Sequence, residues 1–257
     1  MNILAIGDLV GSGSIDHLKQ HLWKQRDALG VDLVIANGEN ASEIHGLSAT
    51  DAQAILDAGV DVITLGNHTY GRRDLYGVLG DSKAIIRPAN FPPLAPGGGY
   101  TTVLVSGWRV LCINVMGTAL MEPLACPFAT VDRILEREAG NYDLAILDIH
   151  AEATSEKIAL GRYFDGRISV IFGTHTHVQT ADEQILPSGS GYMTDLGMTG
   201  PMGGVIGADA EAVIEKFRTK MPTRFRVADG PIRAHGALFT LNNNDLSRVT
   251  SVRRITF

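Results

Sequence analysis

Short polar clusters recur along the chain, each directly after an apolar run: Gly7-Asp8, Asn37-Gly38-Glu39-Asn40, Gly66-Asn67-His68, His150, and Gly173-Thr174-His175-Thr176-His177. Among them are the carboxylates Asp8 and Glu39, the amides Asn40 and Asn67, and the imidazoles His150, His175 and His177, all oxygen or nitrogen donors without a thiolate. That donor chemistry suits hard or borderline divalent metals. The set is too large for one tetrahedral ion, whereas two ions sharing a bridging carboxylate would employ every member. Two divalent ions less the two carboxylates leave a net charge of roughly +2, fitted to an anionic guest such as a phosphate ester. Ions about 3.5 Å apart can lower the pKa of a shared water and stabilise both the entering and the leaving oxygen of a phosphoryl group. Taken singly, Asp8 also reads as a turn or cap residue, Asn40 and Asn67 as loop residues, and His150 as a satisfied strand-end histidine.

The elements that must position these residues follow from the apolar pattern. Apolar runs at Ile3 to Ile6, Leu33 to Ala36 and Val62 to Leu65 alternate with amphipathic stretches at Ile15 to Leu29 and Ser48 to Ala58, which reads as βαβ units. The strands are nearly all apolar, as expected where both faces of a sheet are covered. Tyr100 to Val105 and Trp108 to Val115, joined by Ser106-Gly107, predict a hairpin and hence a mixed sheet. Further helices are expected at Val131 to Glu138 and Ser155 to Arg162. Further strands are expected at Leu144 to Ile149, Val170 to Phe172, Arg224 to Val227, Ala234 to Leu241 and Val249 to Phe257, with a turn at Asn242-Asn243-Asn244-Asp245. Loops are expected at Gly97-Gly98-Gly99, Met121 to Phe128 and Met198 to Gly207, where glycine permits close approach to a ligand or simply a surface connection. In an open α/β sheet the carboxyl ends of the strands line the ligand crevice, so the polar clusters should converge.

Composition bounds the function. With 257 residues, 45% hydrophobic, 19% charged and only 2 Cys, the chain reads as a single globular α/β domain, neither disordered nor a disulfide scaffold. Cys112 and Cys126 are expected to be a buried thiol and a loop thiol. A net charge of −6 without a Lys/Arg cluster argues against long nucleic-acid partners. The start MNILAIGDL carries no basic leader, and the most apolar stretch, Tyr100 to Met121, is interrupted by Arg109 and Asn114, so no membrane partner and a cytoplasmic location are expected. His17, His21, His45 and His235 read as structural or exposed. Gly7-x-x-x-Gly11-x-Gly13 lacks the dinucleotide-binding spacing. His175-x-His177 lies too late in the chain for a metal-dependent amidohydrolase barrel, in which such a pair belongs to the first strand.

The motifs in order, together with Arg87-Pro88-Ala89-Asn90, His150 through Lys157 and Gly173 through Asp182, resemble the calcineurin-like metallophosphoesterases, and within them the YmdB-like branch of 2′,3′-cyclic-nucleotide 2′-phosphodiesterases. The resemblance implies a four-layer αββα sandwich with mixed sheets and a dinuclear centre. One ion would be held by Asp8, Glu39, Asn40 and His177, the other by Glu39, Asn67, His150 and His175. Iron or manganese is the expected pair, while Mg, Zn and Co also suit these donors. His68 would be the general acid or orient the substrate; a hydrogen-bonding role beside the ligands is the alternative. Val10 stands where the wider superfamily places a histidine, and Ser42-Glu43-Ile44-His45 departs from the glycine-rich segment of the branch. The expected reaction is attack by a metal-bridging hydroxide on a 2′,3′-cyclic nucleotide with loss of the 2′-oxygen, giving a 3′-nucleotide. A broader phosphodiesterase or phosphomonoesterase, or a nucleotide-binding regulatory module without turnover, are the alternatives. Antiparallel C-terminal strands with an exposed edge would accommodate a homo-oligomer.

Overall fold

The structure, a computed structural model, describes residues 1–242 and 245–257. The chain runs β1 (Asn2–Ile6), β2 (Asp8–Leu9), α1 (Gly11–Leu29), β3 (Leu33–Asn37), α2 (Ala49–Asp57), β4 (Val62–Thr64), α3 (Leu75–Asp81) and β5 (Ile85–Ile86). It continues through β6 (Tyr100–Val105), β7 (Trp108–Met116), α4 (Pro127–Arg137), β8 (Leu144–His150), α5 (Thr154–Phe164) and β9 (Val170–Thr174). The last part is β10 (Gln184–Ile185), β11 (Gly191–Met193), β12 (Met198–Pro201), α6 (Ala210–Thr219), β13 (Ile232–Arg233), β14 (His235–Asn242) and β15 (Asp245–Thr256).

One sheet has the order β15-β14-β1-β3-β4-β5 and a second the order β10-β11-β9-β8-β7-β6. Both are mixed: β1, β3, β4 and β5 run parallel beside the antiparallel β14 and β15, and β7, β8, β9 and β11 run parallel between the antiparallel β6 and β10. The alternation of small βαβ units dictates the parallel part, and the two-residue hairpin dictates the reversal. Ser106 and Gly107 both have positive φ, 50° and 87°, the primed turn whose twist matches the strands it joins.

Apolar burial makes four layers. Ile3, Leu33, Ile35 and Val62 of the first sheet meet Val110, Ile146, Val170 and Phe172 of the second in a shared core between the sheets. The outer face of the first sheet packs on α1 and α2 through Leu18, Leu22, Ala52 and Ile55, and that of the second packs on α4 and α5 through Val131, Ile134, Leu160 and Phe164. The αββα sandwich expected from the sequence is therefore present. β3 and β8 are buried along their whole length, which is why their sequences are apolar runs and not alternating patterns.

Several boundaries differ from expectation. Arg224 to Val227 forms no strand: only Val227 makes an isolated bridge, to Ala208. Its alternation of Arg and Phe imitates a strand, but Arg224 and Arg226 are exposed and no strand of either six-stranded sheet lies alongside. Part of the expected loop at Met198 to Gly207 is strand β12, parallel to β2, and with β13 these form a third, three-stranded sheet. Neither α3 nor α6 is among the helices expected from the sequence. Ala210, Val213, Ile214 and Phe217 recur at helical spacing in α6, yet Val213 alone of its residues is buried, and its start is set by Asp209, whose side chain accepts from the Ala212 N–H. Asn243 and Asn244 of the expected turn lie outside the described residues. Cys112 is buried and Cys126 exposed, as expected. No helix among the described residues is long and apolar enough to cross a membrane.

Candidate metal centre

All five polar clusters arrive at one edge, because β1, β3, β4, β8 and β9 end side by side at the crest of the sandwich. Asp8 follows β1; Glu39 and Asn40 follow β3; Asn67 and His68 follow β4; His150 is the last residue of β8; His175 and His177 follow β9. The turn after β3 is locally determined, since the Glu39 N–H is bound by the Asn37 side-chain oxygen at 3.1 Å and the Asn40 carbonyl accepts from the Gly11 N–H at 2.9 Å. At Gly66 any side chain is excluded: a Cβ would stand 2.2 Å from the His150 ring and 2.5 Å from a Glu39 carboxylate oxygen.

Four electron-pair donors crowd one point. His150 Nε2 lies 2.9 Å from Asn67 Oδ1, 3.1 Å from Glu39 Oε1 and 3.1 Å from His175 Nδ1. The other nitrogens of the two rings are committed elsewhere. Thr174 Oγ1 gives its hydrogen to Asp148 Oδ1 at 2.8 Å, so it accepts from His150 Nδ1 at 2.9 Å; His175 Nε2 faces Glu152 Oε2 at 3.2 Å. Lone pairs from Asn67, Glu39, His150 and His175 therefore point at one another, an arrangement that repels unless a cation sits among them. Donors at about 2.1 Å from a common ion and at right angles stand about 3.0 Å apart, the spacing seen here. Glu39, His150 and His175 form a group able to hold a metal ion on their ligand-atom distances alone.

The second half of the set is looser. His177 Nδ1 donates to the Ile206 carbonyl at 2.9 Å, leaving Nε2 directed to Asp8 Oδ1 at 3.7 Å and to the Asn40 amide at 3.3 Å. Asp8 Oδ1 and Asn40 Oδ1 are both buried without a hydrogen-bond partner. A half-turn of the Asn40 amide would bring its oxygen to the side of His177 Nε2, completing a donor set there. These unpartnered oxygens are what a cation would satisfy, so the residues fit the metals that the sequence implies.

Electrostatics agree. For Glu39, burial would raise the pKa, but the neighbouring His150 outweighs it and holds the carboxyl down at about 2. Burial likewise opposes charge on His150, yet Glu39 and Asp8 push its pKa up to about 9. Burial and the facing His150 depress His175 to about 3. Asp8 is raised by burial. Without an ion, the cluster recruits a proton onto His150 in its place.

The tight loop after β9 needs support, because His175 and His177 both have positive φ, 98° and 63°, each costing on the order of 1–3 kcal/mol. Asp195 braces it: Oδ2 accepts from the Thr176 N–H at 3.2 Å and hydroxyl at 2.7 Å, while Oδ1 accepts from the Gly197 N–H at 2.8 Å. Lys157, fully buried on α5, pairs with Asp195 Oδ2 at 2.7 Å. Asp8 Oδ2 takes the His175 N–H at 3.1 Å. Sequence reasoning missed the supporting roles of Lys157, Asp195, Glu152 and Asp148. Glu152 and Lys157 lie within the segment His150 through Lys157, but buried pairing across elements has no local signature. His68 donates its backbone N–H to Glu39 Oε2 at 2.8 Å. His45 is exposed, within the range expected, and its ring lies against that of His68, centroids 4.1 Å apart and planes tilted by 30°.

Glu39, Asn40, His68, His175 and His177 open into one cavity of about 580 Å³. The αββα sandwich is the metallophosphoesterase fold, shared with a 5′-nucleotidase precursor from Thermus thermophilus at TM-score 0.57 and 11% identity, over 100% of this chain and 54% of that one. Within that fold, the chain belongs to the family described as YmdB-like protein, which matches residues 4–255. It is 41% identical over 255 residues to a Bacillus subtilis (strain 168) protein named 2′,3′-cyclic-nucleotide 2′-phosphodiesterase, covering 99% of this chain and 96% of that one. It also superposes on a structure described as a novel phosphatase from Mycoplasma pneumoniae at TM-score 0.94 and 33% identity, over 100% and 93% of the two chains.

Proposed function

We propose that this chain is a metal-dependent phosphodiesterase that hydrolyses small phosphodiesters, foremost 2′,3′-cyclic nucleotides, to 3′-nucleotides. The carrying observation is the convergence of lone pairs from Glu39, Asn67, His150 and His175, with the orphaned Asp8 Oδ1 beside them. The activity named for the Bacillus relative supports the same reading.

Glu39, Asn67, His150 and His175 would hold one divalent ion, and Asp8, Asn40 and His177, together with Glu39, would hold the second. Once bound, the ions supply positive charge for the phosphoryl oxygens and acidify the attacking water. Glu39 sits between the two donor groups and fixes the backbone of His68 through its second oxygen. His68 is the general acid for the leaving 2′-oxygen. Burial lowers its pKa, so its protonated form is a stronger acid than a free imidazolium but is populated chiefly below neutral pH, and turnover should rise as the pH falls towards that range. Thr174 and Glu152 hold the rings of His150 and His175 in the orientations that ligation requires.

The test is an assay of purified chain loaded with Mn²⁺ or Fe²⁺ against 2′,3′-cAMP, with the product separated by chromatography. Formation of 3′-AMP is expected. Metal-loaded protein that is inert towards both 2′,3′-cAMP and bis(p-nitrophenyl) phosphate would overturn the reading.

A further inference from the structure

The cavity has two ends of different chemistry. Its inner end is the donor set; its outer end is walled by Ile206, Val213, Phe217 and Phe225, with Lys216 and Lys220 among them. Val213, Lys216 and Phe217 share one face of α6, being three and four apart, Lys220 caps its C-terminus, and all four line the cavity. Phe217 is 69% exposed and Ile206 52% exposed, an apolar investment in water that packing does not explain. Lys216 Nζ lies 5.7 Å from the Phe225 ring centroid and Lys220 Nζ 5.5 Å from that of Phe217, so each aromatic surface is paired with a cation.

We propose that this outer chamber is the nucleobase subsite, with Phe217 and Phe225 as stacking surfaces and Lys216 and Lys220 as flanking cations. The inference rests on the phosphodiesterase reading and adds to it which part of the substrate gives selectivity. Three observations favour a base over other occupants. First, the chamber is continuous with the donor set: the Ile206 carbonyl fixes His177 Nδ1 at 2.9 Å while its side chain walls the chamber. Second, in a 2′,3′-cyclic nucleotide the phosphate bridges C2′ and C3′, and C2′ is bonded to the carbon bearing the base, so phosphate at the donors confines the base to this same cavity. Third, a volume of about 580 Å³ exceeds what a phosphate and ribose fill and is of the size that encloses a whole small ligand.

Recognition by ring faces has a consequence for specificity. Of the side chains at this end, Ile206, Val213, Phe217 and Phe225 are apolar or aromatic, and Lys216 and Lys220 donate without offering an accepting atom, so none of these six can pair a base edge both ways as an amide does. Stacking is tolerant of base identity, because every base offers a π-face. The enzyme should therefore require a base yet discriminate little among adenine, guanine, cytosine and uracil, with purines ahead through their larger rings.

The experiment compares kcat/KM of the metal-loaded enzyme for 2′,3′-cAMP and for 1-O-methylribose 2′,3′-cyclic phosphate, which lacks the base. Wild type should prefer the nucleotide by roughly ten- to a hundredfold, the range of one aromatic–base stack. Phe217→Leu, at an exposed position that cannot compromise folding, and Phe225→Leu should each shrink that preference several-fold, mainly through KM of the nucleotide. Equal kcat/KM for the two substrates in wild type would overturn the subsite while leaving the phosphodiesterase reading intact. So would variants whose substrate preference matches wild type, which would assign the exposed face to a macromolecular partner. Wild type inert on both substrates would instead remove the phosphodiesterase reading, and the subsite with it.

Discussion

His150 concentrates the chemistry of the crest into one atom. Its pKa of about 9 means that the metal-free protein carries a proton there at neutral pH, whereas Glu39 at about 2 and His175 at about 3 have none to give. Metal must displace that proton. Affinity should therefore rise with pH up to about 9 and then level off, with close to one proton released from His150 per chain at pH 7. Titration calorimetry in buffers of different ionisation enthalpy measures the release; none at pH 7 would show that His150 is already neutral. His68 is separable by leaving group. His68→Ala should cost on the order of 10²–10⁴-fold in kcat on 2′,3′-cAMP but far less on bis(p-nitrophenyl) phosphate, whose leaving group needs no proton, with the metal content kept. Equal losses on both substrates would move His68 from proton donor to positioning. At this scale the sequence is informative because each proposed ligand ends or follows an apolar run: Asp8, Glu39, Asn67, His150 and His175 are recognisable by their place at a strand end. Asp195 and Lys157 are not, since a buried ion pair between an α5 residue and a loop residue becomes visible only when the elements meet.

The elements matter through what they brace. Lys157 on α5 neutralises Asp195, and Asp195 holds the Thr176 backbone between two histidines in the left-handed region. Lys157→Met keeps the volume and removes the charge, leaving Asp195 buried and unpaired at a cost of roughly 3–5 kcal/mol. Its metal Kd should rise about 10- to 100-fold by calorimetry, as for lost supports of ligand orientation. A Kd equal to wild type would show that the loop holds its shape without the pair. The same scale shows where pattern reading works and fails. Strands β3 and β8, buried on both faces, are legible as apolar runs, and the Ser106-Gly107 reversal as a turn. α6 escapes the reading although Ala210, Val213, Ile214 and Phe217 recur at helical spacing, and that stripe covers no core: Ile214 and Phe217 are exposed and Lys216 and Phe217 line the cavity. Arg224 to Val227 looks like a strand because alternation is a local property, whereas pairing requires a neighbour.

For the whole molecule, the two sheets bring residues from position 8 to position 177 to one edge, so folding and metal binding are linked. The donor set does not exist in the unfolded chain, and ions at about a thousand times Kd add roughly 4 kcal/mol to stability. Removal of metal with EDTA should then lower Tm by on the order of 10 °C in differential scanning calorimetry. No change in Tm would mean that the crest is held by packing alone. On the proposed reading, the positive charge that a small anionic substrate meets at the crest of a chain of net charge −6 would come chiefly from the ions.

Manganese soaked into crystals and located by its anomalous scattering tests the dinuclear crest most directly. Two peaks are predicted, one within reach of Glu39, Asn67, His150 and His175 and the other within reach of Asp8, Glu39, Asn40 and His177. A single peak, or density away from these side chains, would contradict the account.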